Sequence, residues 1–329
     1  LSLSTVPPGA LSKSGALAGS IRHQGHWASA LETSDGSYFT PIEGVALGIS
    51  RHREVVGVIP GASLRGFSWL SGTTVELPGV PGEDSWYAKG VNDSGTIVGA
   101  ALTLTPRGVS RAVRWATRTS GPEVLRGIPE ASIAERVNNR GSVVGRYGVG
   151  VSGSAQGAWL LRGERVELLT DFEAWSLNDA DHVTGSTTGS RAVGAVWSRG
   201  QLRLLESLPQ ATSCVAFGTD ASGMRSVGRC VVAGAEVATL WLDRTPIELV
   251  TVTAGVLKLH TAWAVNDSGV IAASGEDEYG RGAFLLLPQS GDSPPYRDVN
   301  HTNDTLATHT QRMTPCASVD QPTLRSESR

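Results

Sequence analysis

Apolar and polar residues alternate along this chain in short runs, and the runs recur. Seven times an alanine-led strand enters a tight polar turn and returns as a second apolar strand. The best copies are Ala88 to Gly99 and Ala262 to Ile271. Clear ones run from Ala134 to Gly145, Ala174 to Gly185 and Ala216 to Gly228, with weaker ones at Pro8 to Gly19 and Ala46 to Gly57. At the fourth turn residue (Gly15, Arg53, Gly95, Gly141, Asp181, Gly223 and Gly269) the spacings are 38, 42, 46, 40, 42 and 46 residues. A period near that length, made of short strands, is what one propeller blade occupies.

Each copy continues into a third apolar strand. It carries Trp27, Trp69, Trp115, Trp159, Trp197 or Trp241, with Phe284 in the last copy. A fourth, less regular strand follows: 74–77, 123–125, 165–169, 202–205 and 247–250, with 38–40 and 296–299 in that slot for the first and last units. No segment keeps a 3.6-residue apolar period over four turns. The pattern predicts an all-β, seven-bladed β-propeller of four-stranded antiparallel blades over residues 1–300. Residues 301–329 read as a polar tail packed on the propeller or trailing from it. An eighth, incomplete unit at 300–307 is the alternative, but no Trp-bearing strand follows it.

The turn has a local cause. Asn or Asp in its first position bonds back to the backbone, and Gly in the fourth accepts a positive φ without steric cost. The repeated Trp reads as an apolar wedge between diverging blades.

Composition narrows the partners. With 28 basic against 31 acidic residues and no basic stripe, nucleic-acid binding is not expected. Nothing approaches the apolar length of a membrane helix, so membrane insertion is not expected either. The sequence calls for no cofactor, and a protein partner stays open.

Three cysteines occur, Cys214, Cys230 and Cys316. In the sixth hairpin the strand indices pair to a sum near 444, which sets Cys214 directly opposite Cys230. That placement predicts a disulfide and leaves Cys316 unpaired.

The unit Ala-x-x-Val-Asn-x-x-Gly-x-x-Val-Gly, followed by Ala-Phe/Val-x-Trp, resembles the HAF repeats of extracellular bacterial proteins. Val91 to Gly99 and Val137 to Gly145 match best, Ala112 to Trp115 carries the second signature, and the likeness spans roughly residues 8 to 290. The first, second and last copies depart from it. The resemblance implies a scaffold and an extracellular protein; it brings no catalytic residues.

Function is expected where the repeats stop agreeing. The second residue of each innermost strand runs Gly9, Leu47, Lys89, Glu135, Trp175, Phe217 and Trp263, too varied for packing alone. With Trp86, Arg146 and Tyr147 these residues would converge on the varied mouth of the channel, opposite the uniform hairpin turns. Aromatic and charged groups together suit a carbohydrate or small organic ligand. Trp175 and Trp263 read alternatively as channel plugs, and Lys89 with Glu135 as an inter-blade salt bridge. If the protein is an enzyme, a hydrolase or lyase, the acid and base would come from Glu135, His260, Asp84 and Asp171. Lys89 or Arg146 would then face a developing anion. A protein-interaction scaffold is the third reading. Glu276 to Glu278 could hold Ca²⁺ through oxygen ligands, or stand as a solvated loop. His23 and His26 lack a third ligand marked by sequence.

Overall fold

The computed structural model describes residues 10–12, 15–23, 26–32, 42–103, 109–148, 155–249, 258–277, 280–288 and 308–312. Among them every regular element is a β-strand, as the alternating pattern predicts. The strands form seven four-stranded sheets, each made of strands consecutive in sequence. Their innermost strands are Ala10–Leu11, Val45–Ile49, Ser85–Val91, Ile133–Val137, Phe172–Leu177, Ala211–Thr219 and Lys258–Val265. All the pairings within the sheets are antiparallel.

The period predicts seven equivalent blades, and that expectation is corrected. Six sheets, from Val45 onward, are full blades, whereas the first has inner and outer strands of two residues each. At its junction with the last blade the core among the described residues consists of Ala272 and Leu285, with Leu11, Ala264 and Val270 packed against them. The turn of the first blade also departs from the better copies, as that of the second blade does with Ser50. Ser12 replaces the Asn of the better copies, and its hydroxyl accepts from the Ala16 N–H at 2.9 Å to close its own turn. It has no amide group to donate onward as Asn does.

Two outer strands also differ from expectation. The first blade uses Ile42–Glu43, and the last uses Thr308–Arg312 paired with Gly280–Pro288. The expected segments 38–40 and 296–299, the possible extra unit at 300–307 and Cys316 lie outside the described residues.

Cores form between blades rather than within them. Trp115, Trp159 and Trp241 are fully buried, and Phe284 takes the same place in the last blade. The Trp115 indole N–H donates to the Pro78 carbonyl at 2.9 Å, and that of Trp241 to the Glu206 carbonyl at 2.7 Å. Each ring thus reaches toward the preceding blade, as a wedge should.

The turn Asn does more than close its own turn. Asn138 accepts from the backbone N–H groups of Arg140 and Ser142, while its Nδ2 donates to the Asn178 carbonyl of the next blade at 3.0 Å. Asn92 does the same toward Asn138, and Asn178 toward Asp220. The following residue adds a second clasp. Asp93 N–H donates to Asn139 Oδ1, and Asn139 N–H to Asp179 Oδ1. Side chains that repeat in sequence therefore join neighbouring blades.

Cys214 and Cys230 pair across the sixth hairpin and are joined by a disulfide, with 16 residues of separation. Replacing both with Ser should cost roughly 3 kcal/mol in the chain-entropy estimate. Urea denaturation would read that as a lower midpoint with unchanged far-UV circular dichroism. An unmoved midpoint would mean that the closed loop does not restrain the unfolded chain.

Candidate functional site

The varied register has a backbone cause. In each full blade the pairing of the first two strands slips beside the same residue, and in the sixth and last blades it slips a second time, beside Thr212 and His260. Thus Ala88 faces Gly99 but Gly90 faces Val98, which leaves Lys89 bulged. Leu47, Glu135, Trp175, Phe217 and Trp263 are bulged in the same way. A bulge re-aims one side chain out of the ladder, so that residue can vary without disturbing the sheet. It also explains the closing Gly of the repeat. A Cβ on Gly57, Gly99, Gly145, Gly185 or Gly228 would overlap the carbonyl oxygen just before the bulged pair.

The bulged residues form a belt around the axis. Lys89 Nζ lies 2.5 Å from Glu135 Oε2, and Arg146 Nη2 lies 2.7 Å from Glu135 Oε1. Arg146 Nη1 reaches Glu173 Oε1 at 2.5 Å, and the Arg146 guanidinium stands 4.3 Å from the centre of the Trp175 ring. Trp175 meets Phe217 edge-on at 5.7 Å, and Phe217 lies 4.9 Å from Trp263. The Trp263 indole N–H donates to Ser274 Oγ at 3.0 Å, whereas Trp175 Nε1 is buried without a hydrogen-bond partner among the described residues. One arc of the belt is charged and the other aromatic.

Burial decides the electrostatics. Glu135 is only 1% exposed. Burial alone would raise its pKa, but Lys89 and Arg146 outweigh that and hold it at about 2. Burial lowers the Lys89 pKa, and the Arg146 and Arg136 charges add to the fall against the pull of Glu135. Tyr87 is pushed up by burial, with the Glu135 charge adding to the rise.

A cavity of about 310 Å³ lies against this belt. Its lining runs from the bulged residues toward the hairpin turns, through Asn92, Asn138 and Asn178. Arg136 enters it beside Glu135 and donates to the carbonyls of Lys89 at 3.0 Å and Glu135 at 2.7 Å. The space thus lies on the side of the uniform turns.

Lys89, Glu135, Trp175, Phe217 and Trp263 all line the cavity, and Arg146 joins them through Glu135. Trp86, Tyr147, Asp84, Asp171 and His260 do not line it. The Trp86 indole N–H donates to the Leu77 carbonyl, and Arg65 stacks on its ring at 4.2 Å. Tyr147 packs against the core between the third and fourth blades. Asp84 is exposed and its carbonyl accepts from Arg65. Asp171 is an exposed residue with φ 55°, its carbonyl accepting from Thr188 N–H. His260 is half-buried, with Nε2 3.9 Å from Glu276 Oε2. No group of three His, Cys, Asp or Glu suited to a metal occurs among the described residues. Glu278 and the side chains of His23 and His26 lie outside them.

Arg136 and Glu173 are the functional candidates that the register omits. The slot after the bulge holds Gly48, Gly90, Ser176, Gly218 and Ala264 in the other full blades, so Arg136 is the outlier there. Small residues are needed because inner strands approach closely; a Cβ on Gly90 would stand 3.0 Å from Arg136 Cα.

No protein-family model matches the chain, and no curated protein matches it. Solved structures do. The β-propeller domain of the Trilobed protease from Pyrococcus furiosus matches at TM-score 0.59 and 9% identity, over 90% of this chain and 98% of that one. Oligogalacturonate lyase from Vibrio parahaemolyticus matches at 0.56 and 12% identity, over 85% and 89% of the two chains. The acylaminoacyl peptidase of Pyrococcus horikoshii matches at 0.56 and 10% identity, over 91% of this chain. This chain spans 50% of that peptidase's length. The fold is a β-propeller, related in architecture to those of several enzymes. No helix among the described residues is long and apolar enough to cross a membrane.

Proposed function

We propose that the axial cavity binds a small acidic sugar or a similar organic acid. The observation that carries this reading is the divided belt, with Trp175, Phe217 and Trp263 on one arc and Lys89 and Arg136 on the other. Aromatic faces suit the apolar face of a sugar ring. Arg136 bonds only to carbonyls among the described contacts, so its charge is available to a carboxylate. The volume sits at the small end of ligand pockets, roughly 300–1,000 Å³. The HAF-like repeat supports an extracellular protein, as does the Cys214–Cys230 disulfide, since such bonds persist in oxidising compartments.

A second reading places a lyase or hydrolase in the same cavity. It is favoured by the catalytic proteins that share the fold, above all the oligogalacturonate lyase matched over most of its length. There Lys89, its pKa lowered by burial, is the best proton-transfer group, and Arg136 faces a developing anion. Glu135, at about 2, is a poor base near neutral pH and has no proton to give.

Calorimetric titration with digalacturonate, against cellobiose as the uncharged disaccharide, tests both readings. Digalacturonate should bind and cellobiose should bind more weakly. Trp175→Ala or Trp263→Ala should weaken binding roughly 5- to 150-fold, the worth of a stacked, buried indole. Growth of unsaturated-uronate ultraviolet absorbance would select the lyase. Binding unchanged in both folded variants would remove the belt from function.

A further inference from the structure

Away from the axis, a second hollow of about 520 Å³ opens where the fourth and fifth blades meet. It is lined by Arg140, Arg162, Arg165 and Arg199 with Glu167 and Asp181. In a chain with a net charge of −3 this is a local reversal of sign. The arginines come from separate features. Arg140 is the third residue of the fourth blade's inner turn, and Arg162 faces Arg165 across that blade's outer hairpin. Arg199 sits at φ 51° in the outer hairpin of the fifth blade.

Both carboxylates are already committed. Glu167 accepts from Arg162 Nη1 at 2.6 Å and from the Trp197 indole N–H at 3.2 Å. Asp181 accepts from Arg162 Nε at 3.0 Å and from Asn138 Nδ2 at 2.7 Å. These bonds raise the Arg162 pKa against its burial and hold that guanidinium in place through Nε and Nη1. Arg140, Arg165 and Arg199 are exposed and have no carboxylate partner among the described residues. Elsewhere Arg114 pairs with Glu123, Arg203 with Asp243 and Arg229 with Glu236, while exposed Arg126 and Arg244 stand singly rather than in a cluster. Burial lowers the His182 pKa, and Arg203 and Arg199 lower it further.

We propose that this hollow is a second binding site, separate from the axial cavity, for a phosphate or sulfate group. Three guanidinium forks arriving from three turns suit a tetrahedral anion with several acceptor oxygens better than a single carboxylate. Arg162, braced between Glu167 and Asp181, forms the rigid back of the hollow. The exposed arginines close on the anion from the front.

The test is calorimetric titration of the full chain with inorganic phosphate and, separately, with sulfate at neutral pH and low salt. Saturable one-site binding is expected, weakening as sodium chloride is added. Arg165→Ala and Arg199→Ala should each weaken it roughly tenfold or more, as loss of a charge-assisted contact does. Arg199→Lys should recover part of the loss, and Trp263→Ala, in the axial belt, should leave binding unchanged. The tighter of the two anions identifies the ester that the site takes. Absence of saturable binding to either anion overturns the proposal. So does an affinity that Arg199→Ala leaves unchanged, or one that Trp263→Ala abolishes.

Discussion

Glu135→Gln should destabilise the protein by roughly 3–5 kcal/mol, the usual result of leaving buried charges without their partner. The carboxylate is held by Lys89 at 2.5 Å and by Arg146 at 2.7 Å. An amide of the same shape keeps one acceptor, but its NH₂ group must face an ammonium or a guanidinium. Lys89→Met in the same background should restore part of the loss, because it removes one of the stranded charges. Urea unfolding of the two single variants and the double variant measures that coupling. If the single substitution leaves stability unchanged, the belt is not held together by this ion network.

The same residue sets an acid limit. Its folded pKa of about 2 lies below the ordinary value of 4.5, so the native state favours the ionised form. The stabilisation is fully present above about pH 4.5 and is lost as pH falls through 2. A shift of that size corresponds to about 3 kcal/mol. Acid titration of wild type should show the loss in that window, and Glu135→Gln should flatten it.

The architecture was legible because each full blade must solve the same two problems, turning at the axis and filling a wedge. Ala88 to Gly99 and Trp115 write both solutions in plain sequence. Legibility failed in the first sheet, whose inner and outer strands are two residues each although its hairpin keeps the spacing of the repeat. It failed again at the outer strand of the last blade. An edge strand needs few apolar residues, and the polar segment Thr308–Arg312 gave no such signal.

The site was half legible. Variation at Lys89, Glu135, Trp175, Phe217 and Trp263 located the belt, because bulged residues escape the pattern of the ladder. The side on which the cavity lies depends on which way the bulges aim their side chains, and residue identity does not encode that. Trp86 and Tyr147 looked like mouth residues for their chemistry, yet packing against Arg65 and the core between the third and fourth blades absorbs them. Arg136 was readable only by comparing the slot after the bulge across blades, where every other full blade keeps a small residue.

Two glycines of one repeat unit should respond very differently to a methyl group. Gly141 occupies the turn at φ 80° with nothing within 4 Å of a built Cβ, so Gly141→Ala should cost only its backbone conformation. That is roughly 1–2 kcal/mol. Gly145 lies opposite the bulge at Glu135, and there a Cβ would overlap both the Ile133 carbonyl oxygen and the Trp159 ring. The ring is fully buried in the core between the third and fourth blades and has no room to retreat. Gly145→Ala should therefore cost roughly 3 kcal/mol or more, the upper end of overpacking, with a loss of soluble, cooperatively folding protein. Ala273 stands at the equivalent place in the last blade, opposite Phe284. A carbonyl can thus be moved aside when the strand is built for it, and the Trp159 ring is what makes the fourth blade intolerant. Urea unfolding of the two variants side by side is the measurement. Equal losses would show that the Ile133 carbonyl and the Trp159 ring give way, and that the closing glycine is not kept for the space that the bulge takes.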